Sequence, residues 1–212
     1  MVILVTEQKV QAQYDEIAAV YDVRWHSYIT GTLAALPDWL SLVGNESILD
    51  VACGTGELER LLLAKHPQLS IVGLDLSANM LAVARQKGLR GVGFSQGSAI
   101  DLPFPDGTFD VLVTANSFHY FDFPHLALQE MRRVLKPRGK VVILDWCRDY
   151  FFCRLCDLVL KKADPAYRTC YTQQELHTFL HDANFKVIDQ HQFRLDVIWG
   201  LMLATAVKKE KR

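Results

Sequence analysis

What the 212-residue chain lacks narrows its class first. No apolar run approaches the roughly 20 residues that a bilayer-crossing helix needs, so no membrane insertion is expected. The apolar opening from Met1 to Val5 is too short for a secretory signal and has no basic lead-in. Neither sign of charge dominates, with 23 Lys and Arg against 24 Asp and Glu, so no broad basic face for nucleic acid is expected. The charged end, Lys208 to Arg212, reads as a solvated tail. Cysteines number five, odd and without framework spacing, which points to free thiols in a reducing, cytoplasmic compartment. No second Cys/His pair has ligand spacing, so no metal site is expected. Internal repeats and low-complexity stretches are absent, and nothing in the sequence specifies an oligomer. With half of its residues apolar and 22% charged, the chain suits one globular domain with a real core.

What is present centres on Ser47 to Glu57, Ser-Ile-Leu-Asp-Val-Ala-Cys-Gly-Thr-Gly-Glu. Ile48, Leu49 and Val51 read as a buried strand, Gly54 and Gly56 as a tight turn, and Leu58, Leu61 and Leu62 as the apolar face of a helix ending at Lys65, His66 and Pro67. Glu57 and Glu59 suit the positive end of that helix. Strand, glycine turn and helix open a nucleotide-binding α/β sheet. A dinucleotide fingerprint wants a third glycine where this chain has Glu59, and a phosphate loop wants Gly-Lys-Ser/Thr, which is missing. Asp50, beside the turn, is badly placed for a phosphate and well placed for a cation.

Asp50-Val51-Ala52-Cys53-Gly54-Thr55-Gly56 resembles the first motif of the class I S-adenosylmethionine-dependent methyltransferases, whose ligand carries an ammonium, a sulfonium and no phosphate. Asp75-Leu76-Ser77-Ala78-Asn79-Met80-Leu81 matches that family's second segment. Asp75 ends the apolar run Ile71 to Leu74, about where an acidic residue grips a ribose in such sheets. Asp101-Leu102-Pro103-Phe104 matches a third segment, although Ser98-Ala99 stands where the family often has Asp-Ala to hold the adenine amino group. The resemblance implies an α/β, Rossmann-like sheet of seven mostly parallel strands, helices on both faces and a C-terminal antiparallel hairpin. It also implies a single domain over residues 1–212, with an N-terminal helical cap (1–44), a cofactor-binding core (45–145), a variable lid segment (146–172) and a C-terminal helix and hairpin (173–212). The residues expected to bind S-adenosylmethionine, and its product S-adenosylhomocysteine, are Tyr14, Tyr21, Asp50, Ala52, Cys53, Gly54, Gly56, Asp75, Leu76, Met80, Ser98, Ala99 and Asn116.

Periodicity adds the surrounding elements. Residues 8–22 read as an amphipathic helix whose Tyr14-Asp15 and Tyr21-Asp22 resemble the Tyr-Asp pairs of small-molecule methyltransferases. Those tyrosines either close over a cofactor or simply dock the helix. A second helix is expected from Thr30 to Leu42, broken or kinked at Pro37. Further strands are expected at Gly91 to Gln96, Phe109 to Asn116 and Lys140 to Leu144, and a helix from Phe123 to Leu135. A helix from about Arg148 to Lys162 carries Phe151, Leu155, Leu158 and Val159 on one face. Thr172 to Glu175 is a capping box opening a further helix.

The reaction implied is in-line methyl transfer to a small-molecule acceptor, with the protein contributing alignment. His119, at the exit of the fourth strand, is the candidate base, because a free imidazole titrates near neutrality. Asp145 and Tyr21 are further candidates, and each of the three has a plain packing role as its alternative. The aromatics around this end, among them Trp25, Phe118, Tyr120 and Trp146, fit an apolar or planar acceptor or an ordinary core. Two other functions are compatible with the pattern: a binding module without turnover, and a nicotinamide-dependent oxidoreductase.

Overall fold

A computed structural model of the chain describes residues 5–34 and 36–209. The apolar start and the end of the charged tail noted above lie outside them. Three helices lead in: α1 (Val5–Arg24), α2 (His26–Leu33) and α3 (Leu36–Trp39). The helix expected from Thr30 to Leu42 is therefore two pieces, the first beginning earlier. Pro37 lies in the opening turn of the second, where its missing N–H costs nothing.

Strands and helices then alternate: β1 (Ser47–Val51), α4 (Glu57–Lys65), β2 (Ser70–Asp75), α5 (Ala78–Gln86), β3 (Val92–Gln96), β4 (Phe109–Ala115), α6 (Pro124–Val134) and β5 (Leu135–Trp146). Strands of this kind, apolar on both faces, form parallel sheets that helices cover. The chain continues through α7 (Phe151–Ala163), α8 (Gln173–Asp182), β6 (Phe185–Arg194) and β7 (Gly200–Lys208). The sheet runs β3-β2-β1-β4-β5-β7-β6, with β1 to β5 parallel and β7 antiparallel to both neighbours. This is the seven-stranded, mostly parallel sheet that the motifs imply.

Two apolar layers flank the sheet. One joins β1 and β4 to α6 and α8 through Leu112, Met131, Val134 and Leu180, and the other joins them to α3 and α4 through Leu36, Leu40 and Leu62. The outer edge, β6, carries polar residues such as Asp189, Gln190 and Gln192, which discourages pairing with another strand. Thr172 caps α8 as a full capping box with Glu175.

The largest departure from periodicity is α7. It starts at Phe151 rather than Arg148, and its apolar stripe faces outward: Phe151 is 68% exposed and Leu158 60%. Its inward face carries Cys153 and Asp157 instead. A buried carboxylate fixes that orientation, because Asp157 accepts hydrogen bonds from the Tyr167 hydroxyl (2.9 Å) and the Cys170 amide (2.8 Å) and an ion pair from Lys161 (2.7 Å).

Candidate active site: a cleft at the carboxyl ends of the strands

Strand order reverses between β1 and β4, and an open α/β sheet leaves a crevice at such a point. A cleft of about 1200 Å³, including its open mouth, lies there. Its floor is the run from Asp50 to Thr55, its sides are Leu74 to Ser77 with Gly97, Ala99 and Ile100, and its far wall is Ala115 to Ser117. The backbone bends sharply at both inner strand ends: Ala52 has φ 64° and Asn116 φ 56°, left-handed values that disfavour a side chain. The two motif glycines have different jobs. A Cβ on Gly54 would meet nothing within 4 Å, so that glycine borders open space. A Cβ on Gly56 would lie 3.2 Å from Ala84 and Phe94, so that glycine lets α4 pack closely against α5 and β3.

Three carboxylates converge under the glycine turn. Asp75 accepts the Gly54 amide at 2.8 Å and the Ser77 amide at 2.9 Å. Asp50 lines the cleft with one oxygen lacking any hydrogen-bond partner, and both oxygens of Glu59, behind it, also lack one. Burial raises all three above the ordinary carboxylate range, and neighbouring carboxylates add to it, Asp15 at Asp75; Glu59 is pushed up to about 8. Lys87, paired with Glu57 (2.5 Å) and Asp22 (2.8 Å), is the cation that offsets part of this at Glu59. The cleft floor is thus short of positive charge.

Helix α1 roofs the cleft. Tyr14 and Tyr21 line it and meet edge to face at 5.9 Å, and Tyr14 meets Tyr120 likewise at 5.7 Å. Burial raises the hydroxyls of Tyr14 and Tyr21 far above their usual range, so both stay protonated. The paired aspartates do the docking. Asp15 accepts the Ser77 hydroxyl (2.5 Å) and the Asn79 amide (3.1 Å), and Asp22 accepts the Thr55 hydroxyl (2.5 Å). In each Tyr-Asp pair one residue therefore faces the cleft and the next ties the roof to its rim. The docking bonds come from the aspartates and not from the tyrosines.

Of the expected binding residues, Tyr14, Tyr21, Asp50, Ala52, Cys53, Gly54, Asp75, Leu76, Met80, Ala99 and Asn116 line the cleft; Gly56 and Ser98 do not. The Ser98 hydroxyl is turned to the carboxylate of Glu7, which itself lines the cleft. Asn116 spends its side chain on α2, accepting from the Tyr28 hydroxyl (2.9 Å) and donating to Thr32 (2.8 Å). Tyr21 is the only base candidate on the cleft wall. His119 and Asp145 are buried behind it, joined by a 2.6 Å contact from Nδ1 to the carboxylate, with the other Asp145 oxygen accepting the His119 amide at 2.8 Å. The imidazole stacks on Trp146 at 4.1 Å and leans on Tyr120 at 4.4 Å, and its Nε2 has no partner. No residue of 146–172 lines the cleft, so the covering element is α1 and not that segment. Sequence reading passed over Glu7, which reaches the cleft from α1, and the burial of Glu59, which carries the same first-turn signal as Glu57 while being fully buried.

Residues 49–143 match the family model described as a methyltransferase domain. A demethylmenaquinone methyltransferase of Thermotoga maritima is 36% identical over 151 residues, 66% of this chain and 62% of that protein. The ubiquinone/menaquinone biosynthesis C-methyltransferase UbiE of Geotalea daltonii is 28% identical over 88% of this chain and 85% of its own. The chain spans less than two thirds of the first curated relatives it matches, 62%, 46% and 42% of their lengths. Among solved structures, an S-adenosylmethionine-dependent methyltransferase from Thermotoga maritima superposes with a TM-score of 0.74 at 20% identity, covering 92% of this chain and 98% of that one, a likeness of fold. Motif, matched segment and sheet order agree: the chain is similar to the class I S-adenosylmethionine-dependent methyltransferases, and its curated relatives include those of the ubiquinone/menaquinone type.

Proposed function

We propose that this chain binds S-adenosylmethionine in the cleft and transfers its methyl group to a small, planar, apolar acceptor of the quinone type. The observation that carries the reading is the cleft floor: buried carboxylates with unsatisfied oxygens and too little positive charge, beside a glycine whose missing side chain leaves room for a ligand. Such a floor suits a cationic, phosphate-free nucleoside and would repel a pyrophosphate, which sets the nicotinamide reading aside. When bound, S-adenosylmethionine supplies an already activated sulfonium methyl and leaves as S-adenosylhomocysteine.

The chain's own residues then have separable roles. Asp75, held by two amides, offers its remaining lone pairs to the ribose hydroxyls. Asp50 faces the amino-acid end with an unpaired oxygen. Leu76, Met80 and Ala99 wall the adenine, and Glu7 returns, from α1, the carboxylate that Ser98 lacks. Tyr14, Tyr21 and Tyr120 close the acceptor's end. The first two are kept protonated, so they donate a hydrogen bond to an acceptor oxygen instead of removing a proton. His119 and Asp145 are positioning residues, setting the rings of Tyr120 and Trp146 from behind. Alignment of this kind contributes up to about 7–11 kcal/mol to such a displacement.

The test is label transfer. The chain, given methyl-labelled S-adenosylmethionine and a reduced demethylated naphthoquinone, should place label in the extracted quinone. Binding of S-adenosylhomocysteine with no label in the quinone or in any fraction of a cell extract would mark a binding module instead.

A further inference from the structure

Half of the exposed large apolar side chains among the described residues crowd into one place: Phe151, Phe152, Leu155, Leu158 and Val159 on α7, with Val197 and Ile198 in the turn before β7. The two segments adjoin, because the Cys153 thiol sits 3.5 Å from the Ile198 carbonyl and accepts the Gly200 amide at 3.2 Å. A helix usually turns such a stripe toward a core, but here Asp157 is anchored inward and holds the stripe in water. The charge around the patch is uneven. Arg154, Lys161 and Lys162 on α7 and Arg194 at the end of β6 are exposed, against Asp149 before α7 and Asp196 in the turn, so the border leans basic although Lys161 is paired with Asp157 and the chain as a whole is slightly acidic. An outward face of Phe, Leu and Val bordered by Arg and Lys is what lies in a lipid interface with its axis in the membrane plane.

We propose that the outer face of α7, with the turn at Val197 and Ile198, docks the protein on an anionic lipid surface. Aromatic and aliphatic side chains enter the headgroup boundary, and the basic border meets lipid phosphates. The layer beneath the face, Cys153, Tyr167 and Cys170, packs against Tyr120, which lines the cleft, so docking would bring the acceptor end of the cleft close to the bilayer. The inference goes beyond the proposed reaction and needs no turnover to be tested.

The experiment is flotation of the full chain with vesicles of equal parts phosphatidylcholine and phosphatidylglycerol, and with phosphatidylcholine alone. Expected is co-flotation with the anionic vesicles, roughly tenfold weaker with the neutral ones and weakened by salt. Leu155→Asp with Leu158→Asp should abolish it at an unchanged melting temperature, since both side chains are exposed. Arg154→Glu with Lys162→Glu should remove the preference for phosphatidylglycerol. Failure to bind anionic vesicles, indifference to phosphatidylglycerol, or binding that survives the leucine pair would overturn the proposal. So would a dimer in sedimentation that the leucine variant dissolves, which would assign the face to a second copy.

Discussion

The glycine-turn corner and helix α7 are built in opposite senses. At the corner, polar groups are buried and unsatisfied: Asp50 and Glu59, with Asp75 beside them, crowd under a turn held in strained backbone. At α7, apolar groups are exposed and the one buried acid is fully paired. Both arrangements cost free energy in the isolated chain, the first through desolvated charge and the second through apolar surface left in water. On the proposed readings both costs are relieved from outside, by a cation in one place and an apolar surface in the other. Unfavourable placement is thus a guide to ligands in two different chemistries.

Substitutions can break this contrast. Gly54→Val should have the largest effect, filling the open side of the turn and forcing a β-branched residue to φ 55°, and so reducing S-adenosylhomocysteine binding below detection in calorimetry while the circular dichroism spectrum is retained; near-normal affinity would mean the ligand lies elsewhere. Asp75→Ala should weaken binding by roughly 10–100-fold, the worth of charge-assisted hydrogen bonds to the ribose. Unchanged affinity would remove that assignment.

Glu59 sharpens the contrast through pH. Its folded pKa, raised to about 8, lies above that of an unfolded glutamate, so the native state holds the extra proton. Stability from this group is complete below the unfolded value and is lost as pH rises through about 8. The slope is at most about 1.4 kcal/mol per pH unit for one group. Thermal melts should therefore fall between pH 5 and 8, and Glu59→Gln should flatten the curve; an equally steep curve in the variant would show that the slope comes from other groups. The smallest effect is expected from Ala52→Gly, which relieves left-handed strain at the end of β1 and should raise stability by about 1 kcal/mol in denaturant unfolding. No gain would mean that the turn geometry is not a source of strain.

How far the site could be read in advance differs residue by residue. Asp50, Gly54 and Asp75 were legible because backbone demands and local spacing carry their roles. Gly56 looked the same as Gly54 in the motif, yet it serves helix packing, a distinction that depends on Ala84 and Phe94. Glu7 was illegible, since its partner Ser98 is 91 residues away. The stripe on α7 was visible as a stripe, but nothing local says which way an amphipathic helix turns.

The order of strands and helices, the glycine corner and its acid, and the Tyr-Asp pairs are properties of short segments, because period, turn chemistry and capping act between near neighbours. The insertion of β7 beside β5, the burial of Glu59, the division of labour within each Tyr-Asp pair and the outward roll of α7 were decided only by tertiary packing. Each of these depends on which distant group satisfies a buried polar atom, and a linear pattern of apolar and polar residues carries no record of that partner.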